Sequence, residues 1–246
     1  MGRSPTRAAI LTGIDITRTK DAVGIGPSRP LLAELLGSAL LAAVVVGSGI
    51  AAAQLSPDDV GLQLLENAAA TGAGLFAIIL MLGPVSGAHL NPVVTLVDAG
   101  LGGLPWRTAL AYVPAQVTGC VLGAILANVM YDREPISVST TDRISAAHVV
   151  AEVVATAGLV LLIFSLVRSG RITSVPAAVG AYIGAAYFFT SSTSFANPAI
   201  TIGRMFSDSF AGIAVTSAPG YIAAQLVGGV VGFGLIRLFY PSSAPT

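Results

Sequence analysis

The chain has 246 residues, 54% of them hydrophobic and only 10% charged, with a mean hydropathy of +0.83. That balance excludes an ordinary soluble globular domain, and twelve basic against twelve acidic residues exclude a surface built to hold a polyanion. The lone cysteine, Cys120, excludes an internal disulfide and any cysteine-based metal cluster, and its apolar neighbours make it inert packing.

Taken in chain order, residues 1–29 are polar, carry Arg3, Arg7, Arg18, Lys20 and Arg29, and lack the apolar core of a signal peptide. They are expected to form a cytoplasmic N-terminal tail. A spanning helix needs roughly 20 mostly apolar residues. Six stretches qualify, at 31–53, 63–83, 107–130, 147–167, 174–191 and 217–239, the fifth being short and containing Pro176. Residues 241–246 are left as a C-terminal tail.

Two further stretches interrupt this series. Ser86-Gly87-Ala88-His89-Leu90-Asn91-Pro92-Val93 follows the second span, and Ser194-Phe195-Ala196-Asn197-Pro198-Ala199 follows the fifth. Asn is a strong helix N-cap and Pro suits the first helical position, so each Asn-Pro opens a helix. The apolar runs 91–98 and 197–204 are too short to span, and read as re-entrant half-helices. Non-helical backbone at membrane depth is tolerated only against protein or a water-filled cavity. A cavity is therefore implied.

The two halves repeat. Ala33-Glu34-Leu35-Leu36 echoes Ala151-Glu152-Val153-Val154, and Ala115-Gln116-Val117-Thr118-Gly119 echoes Ala224-Gln225-Leu226-Val227-Gly228. With three spans per copy, an odd number, the second copy inserts inverted, and the half-helices meet N-terminus to N-terminus near the midplane. Paired interruptions of this kind mark a conduction or binding site. Basic residues flanking the spans place both termini in the cytoplasm.

Glu34 and Glu152 are acidic residues inside apolar spans, a costly placement. At matching repeat positions they are expected to accept the N–H groups of the re-entrant loops, with His89 as a loop anchor at the cytoplasmic entrance. His148 is expected at the membrane interface. No His/Asp/Glu cluster, Ser-His-Asp arrangement or phosphate-cradling loop is present, so no enzyme, metal or cofactor is expected.

The doubled Asn-Pro within an inverted repeat resembles the aquaporin and aquaglyceroporin (major intrinsic protein) family, over roughly residues 30–240. The resemblance implies an all-α membrane fold of six transmembrane helices plus two half-helices, with repeats at 30–131 and 146–240. It further implies a homotetramer in the lipid bilayer of the cell membrane, one pore per protomer, passing small uncharged solutes and excluding ions and protons, with no nucleic-acid partner. The implied midplane lining is Asn91, Asn197, Pro92, Pro198, Val93 and Ala199. Val93 stands where Ala is usual and adds two methyls near the pore. The outer filter falls at Thr71, Ala185, Ser194 and Ile200, the first two by gapless counting from the Asn-Pro pairs. Most relatives carry Arg where this chain has Ile200. Arg204 lies one helical turn, about 6 Å, farther on, and is expected in the outer vestibule without re-forming the constriction. Small corners and a missing guanidinium favour solutes larger than water, such as glycerol-like polyols or neutral metalloid hydroxides like arsenous acid. A water-selective channel is the nearest alternative, and a coupled secondary transporter is the alternative of another class.

Overall fold

The structure, a computed structural model, describes residues 28–241. Of the expected tails it contains only Ser28, Arg29 and Pro241; the remainder lies outside the described residues. The regular elements are α1 (Ser28–Leu55), α2 (Val60–Ser86), α3 (Pro92–Leu101), α4 (Trp106–Met130), α5 (Ala146–Arg168), α6 (Val175–Phe189), α7 (Pro198–Arg204) and α8 (Ala218–Phe239), with a 3-10 turn at Ile172–Ser174 before α6. Six of these units are long and apolar enough to cross a membrane, counting α6 together with its 3-10 turn. Helices α3 and α7 are the two short ones.

Local chemistry fixes the ends. Asp59 caps α2 by accepting from the Leu62 N–H at 2.9 Å, and Ser145 caps α5 by accepting from His148 at 3.1 Å. Gly87 ends α2 with φ +92°, a left-handed conformation that glycine takes without steric cost. Pro176, which interrupts the fifth apolar run in sequence, sits in the first turn of α6, where its missing N–H breaks no helical bond.

The packing obeys the repeat. Helix α1 lies against α4 and α2, as α5 lies against α8 and α6; α2 then meets α6 across the two halves. Small residues allow the first pair of contacts. A Cβ on Gly119 or Gly123 of α4 would run into the backbone of Leu35 or Ala39 on α1. At the matching positions in α8, a Cβ on Gly228 would meet the Val153 carbonyl and one on Gly232 the Val160 side chain and the Ala157 carbonyl of α5, somewhat less tightly. Each four-residue glycine spacing lets two helix backbones approach, which is how helices associate where apolar burial gives no drive. Large apolar side chains such as Leu122, Phe188, Val230 and Leu238 are exposed on the outside of the bundle. The two short helices are held within it: α3 packs on α4 and α8, α7 on α4, α8 and α1, and they touch one another.

Candidate functional site

The site is built where the short helices meet. Asn91 accepts from the Val93 N–H at 2.9 Å, and Asn197 accepts from Ala199 at 2.9 Å and Ile200 at 3.4 Å, so each side-chain oxygen caps its own helix. The amide nitrogens reach across. Asn91 Nδ2 donates to the Ala196 carbonyl and Asn197 Nδ2 to the Leu90 carbonyl, both at 2.7 Å. An amide nitrogen has two N–H bonds, so one is left on each Asn after this exchange.

The loops leading into both caps are strained in the same way. Ala88 and Leu90 have φ of 47° and 52°, and Ser194 and Ala196 have 50° and 48°. Left-handed backbone costs an L-residue about 1–2 kcal/mol. The two buried glutamates offset that cost. Glu34 accepts from the His89 and Leu90 N–H groups at 3.0 and 2.7 Å, and also from Ser86 and Gln116. Glu152 accepts from Phe195 and Ala196 at 2.9 and 2.8 Å, and from Gln225 at 2.7 Å. Neither carboxylate is exposed at all. Charge-assisted bonds of this kind are roughly twice as strong as neutral ones, and they occupy the acceptor capacity that a proton carrier would need free.

A cavity of about 610 Å³ runs past this crossing. Its wall takes Asn91, Val94 and Asp98 from α3, and Asn197, Ile200 and Arg204 from α7. Both sets fall at i, i+3 and i+7, one face of a helix. Four of the sequence-expected lining residues do not reach this wall: Pro92, Val93, Pro198 and Ala199 are buried behind it. They occupy the first two helical positions, about 100° and 200° around the axis from the capping Asn. Val93 points at α8, so close to Gly229 that no Cβ would fit there. Its extra methyls fill that contact and leave the midplane unchanged.

Thr71, Ser194 and Ile200 all line the cavity, and Thr71 and Tyr187 share a hydroxyl–hydroxyl bond of 3.1 Å. Ala185 does not join them. It is exposed, while Ile183 and Tyr187, either side of it on α6, face the cavity. Gapless counting fails because the path from Asn197 back to α6 crosses a non-helical loop with left-handed residues at Thr193, Ser194 and Ala196. Tyr187 therefore occupies the place expected for Ala185. Sequence reasoning also missed Val94, Asp98 and Phe195. The i, i+3, i+7 spacing from each Asn could have found the first two.

At the α3 end, His89 lines the cavity, with Nδ1 3.2 Å from the Thr95 hydroxyl and Nε2 3.4 Å from Asp98. At the α7 end, Arg204 is only 2% exposed, and its guanidinium lies 3.4 Å from the centroid of the Phe195 ring. Its Nε donates to the Ala211 carbonyl. Beyond it opens a second cavity of about 610 Å³, whose wall includes Gln63, Asn67, Arg143 and Asp208. Arg143, in the loop between α4 and α5, donates to the Gly212 and Phe210 carbonyls, and burial lowers its pKa from the ordinary guanidinium value. His148 rests at the start of α5 against the Arg143 carbonyl and the edge of Tyr221. Cys120 is fully buried, its thiol facing the Ser38 carbonyl. Among the described residues, no group of three His, Cys, Asp or Glu side chains is placed to hold a metal ion.

A family model described as Major intrinsic protein matches residues 22–195 and 171–245. Over 218 residues the chain is 46% identical to Aquaglyceroporin AqpS of Rhizobium meliloti (strain 1021), spanning 89% of this chain and 93% of that one. It is 30% identical to Aquaporin NIP1-4 of Oryza sativa subsp. japonica, over 87% and 81% of the two chains. Among solved structures, the aquaglyceroporin from Plasmodium falciparum superposes with a TM-score of 0.70 at 21% identity, covering 87% of this chain and 97% of that one.

Proposed function

The chain belongs to the major intrinsic protein family, as a multi-pass channel-type transporter, and on that premise we propose that it passes small uncharged solutes larger than water, passively and without ions or protons. The observation that carries the reading is the crossing of α3 and α7 on the cavity wall. There the two capping Asn side chains each keep an N–H for a passing oxygen. Each helix N-terminus carries an effective charge of about half a proton, so two of them at one constriction repel cations.

The solute class is argued from the rest of the wall. Ile200 is apolar where the family resemblance implies Arg, Thr71 and Ser194 are small, and Tyr187 adds one ring with a hydroxyl. A permeant with both hydroxyl groups and carbon or metalloid bulk fits such a surface better than water alone: glycerol-like polyols, and neutral metalloid hydroxides such as arsenous acid. The name aquaglyceroporin, carried by the relative from Rhizobium meliloti, is consistent with that class. Pore-lining roles for Asn91, Asn197, Thr71, Ser194 and Ile200, loop support by Glu34, Glu152 and His89, and a homotetramer with both termini cytoplasmic in the cell membrane complete the proposal.

The test is a solute panel on reconstituted liposomes, containing water, glycerol, urea and arsenous acid. Fast flux that does not saturate and needs no ion gradient is expected, with glycerol and arsenous acid both passing. Flux that requires a sodium or proton gradient would replace the channel with a coupled transporter. Water flux alone would leave a water-selective channel.

A further inference from the structure

We propose that Arg204, seven residues beyond the second capping Asn, is the specificity-determining residue of this channel, supplying from the next helical turn the donor group that Ile200 lacks. The inference rests on the channel reading above and adds a residue to it.

Four observations converge on this side chain. Asn197, Ile200 and Arg204 form one continuous i, i+3, i+7 stripe on the cavity face of α7, so the guanidinium is presented to the same wall as the capping amide. Arg204 is the residue common to the walls of the two cavities, and so stands at the neck between them. It is 2% exposed, yet among the described residues only its Nε has an acceptor, the Ala211 carbonyl. The two terminal nitrogens have no acceptor among the described residues and belong to the side chain that both cavity walls share. A guanidinium withdrawn from water without a carboxylate is costly, and the face of Phe195, 3.4 Å away, holds the plane in place.

The surroundings define what such a donor selects. Ile200 and Phe195 beside it are apolar, the Thr71 and Tyr187 hydroxyls use one of their two O–H groups on each other, and the Ser194 hydroxyl has no partner among the described residues. A hydroxylated solute shedding water at the neck therefore meets Arg204 as its one charged, multi-donor partner among the described residues of this wall, beside single hydroxyls. The planar fork offers parallel N–H groups and suits a solute that presents two oxygens along one edge. A vicinal polyol and a trihydroxy metalloid acid both do so. The same charge repels cations on a wall that also carries the rings of Tyr187 and Phe195.

The experiment compares the full-length parent with Arg204→Met and Arg204→Lys in proteoliposomes, reading the glycerol-to-water permeability ratio and the proton leak. Parental flux of the panel is measured first, and its absence would count against the channel reading, separately from Arg204. Methionine keeps the length and removes both charge and donors. It is expected to lower the ratio at least threefold and raise the proton leak about tenfold, the loss of a unit charge at close range. Lysine keeps the charge and loses the planar fork, so the ratio falls while the leak stays low. A folded variant of either kind that keeps the parental ratio overturns the proposal. A second measurement needs no folded variant: phenylglyoxal modification of Arg204 in the parent, followed by mass spectrometry of its peptide. Slowing by glycerol is expected, and indifference to glycerol overturns the assignment.

Discussion

Glu152 and Glu34 show how much one side chain settles at the scale of a residue. Each takes two consecutive loop N–H groups and a glutamine amide, so the strained approach to each capping Asn is held by one buried carboxylate. In Glu152→Gln an amide N–H₂ faces donors, and an unmet buried donor costs about 1–3 kcal/mol. The expected result is a lower melting temperature in detergent and a smaller monodisperse fraction, with no pH-dependent transport lost from the protein that folds. Normal yield with abolished, proton-coupled flux would return Glu152 to the transport chemistry. Ile200→Arg places a second guanidinium one turn from Arg204 on the same face. Glycerol flux is then expected to fall about tenfold more than water flux, the usual scale for one altered pocket contact. Equal passage of both by the folded variant would remove Ile200 from the filter. At this scale the Asn and Glu pairs were legible because each appears twice in matching surroundings. Ala185 was misplaced because residue counting does not survive a loop with left-handed backbone. Arg204 stands at the α7 end of the cavity, where the second cavity opens.

Elements were more legible than residues, for a physical reason. Six apolar runs and two Asn-Pro caps state where helices begin and end almost without reference to tertiary contacts, and the observed bounds differ from the sequence reading by a few residues at each end. What the sequence states less openly is how closely the helices sit. Gly119 and Gly123 on α4 leave no room for a Cβ against α1, whereas Gly234 on α8 has nothing within 4 Å of that position. Gly123→Val should therefore cost at least about 2 kcal/mol through overpacking, read as loss of folded protein by size exclusion and a lower melting temperature. Gly234→Ala should stay within about 1 kcal/mol of the parent, on the side of greater stability. Equal tolerance of both substitutions would show that the α1–α4 contact is looser than the backbone distances indicate.

For the whole molecule, the inverted repeat was readable because an odd number of spans per copy leaves no other way to insert the second half. The orientation in the membrane gives a direct prediction. A tag at Met1 or Thr246 should be protected from protease added to intact cells, and the loop Tyr131–Ser145 should be cut. Accessible termini would reverse the positive-inside assignment. The proposed tetramer is checked by native mass measurement in mild detergent, where monomers alone would count heavily against it. The assembly number was not legible in the sequence, since exposed apolar side chains serve lipid and neighbouring protomers alike.

The reciprocal bonds from Asn91 to Ala196 and from Asn197 to Leu90 also bear on how the protein is made. A ribosome delivers the first repeat long before the second. Until α7 arrives, the Asn91 amide and the Leu90 carbonyl lack their native partners, although Glu34 and Gln116 can already brace the first loop. The passage through the membrane is thus one of the last features to be completed during biosynthesis. A chain halted after α4 holds half of a lock whose other half is its own inverted image, and a second halted chain of opposite orientation is the nearest substitute for it.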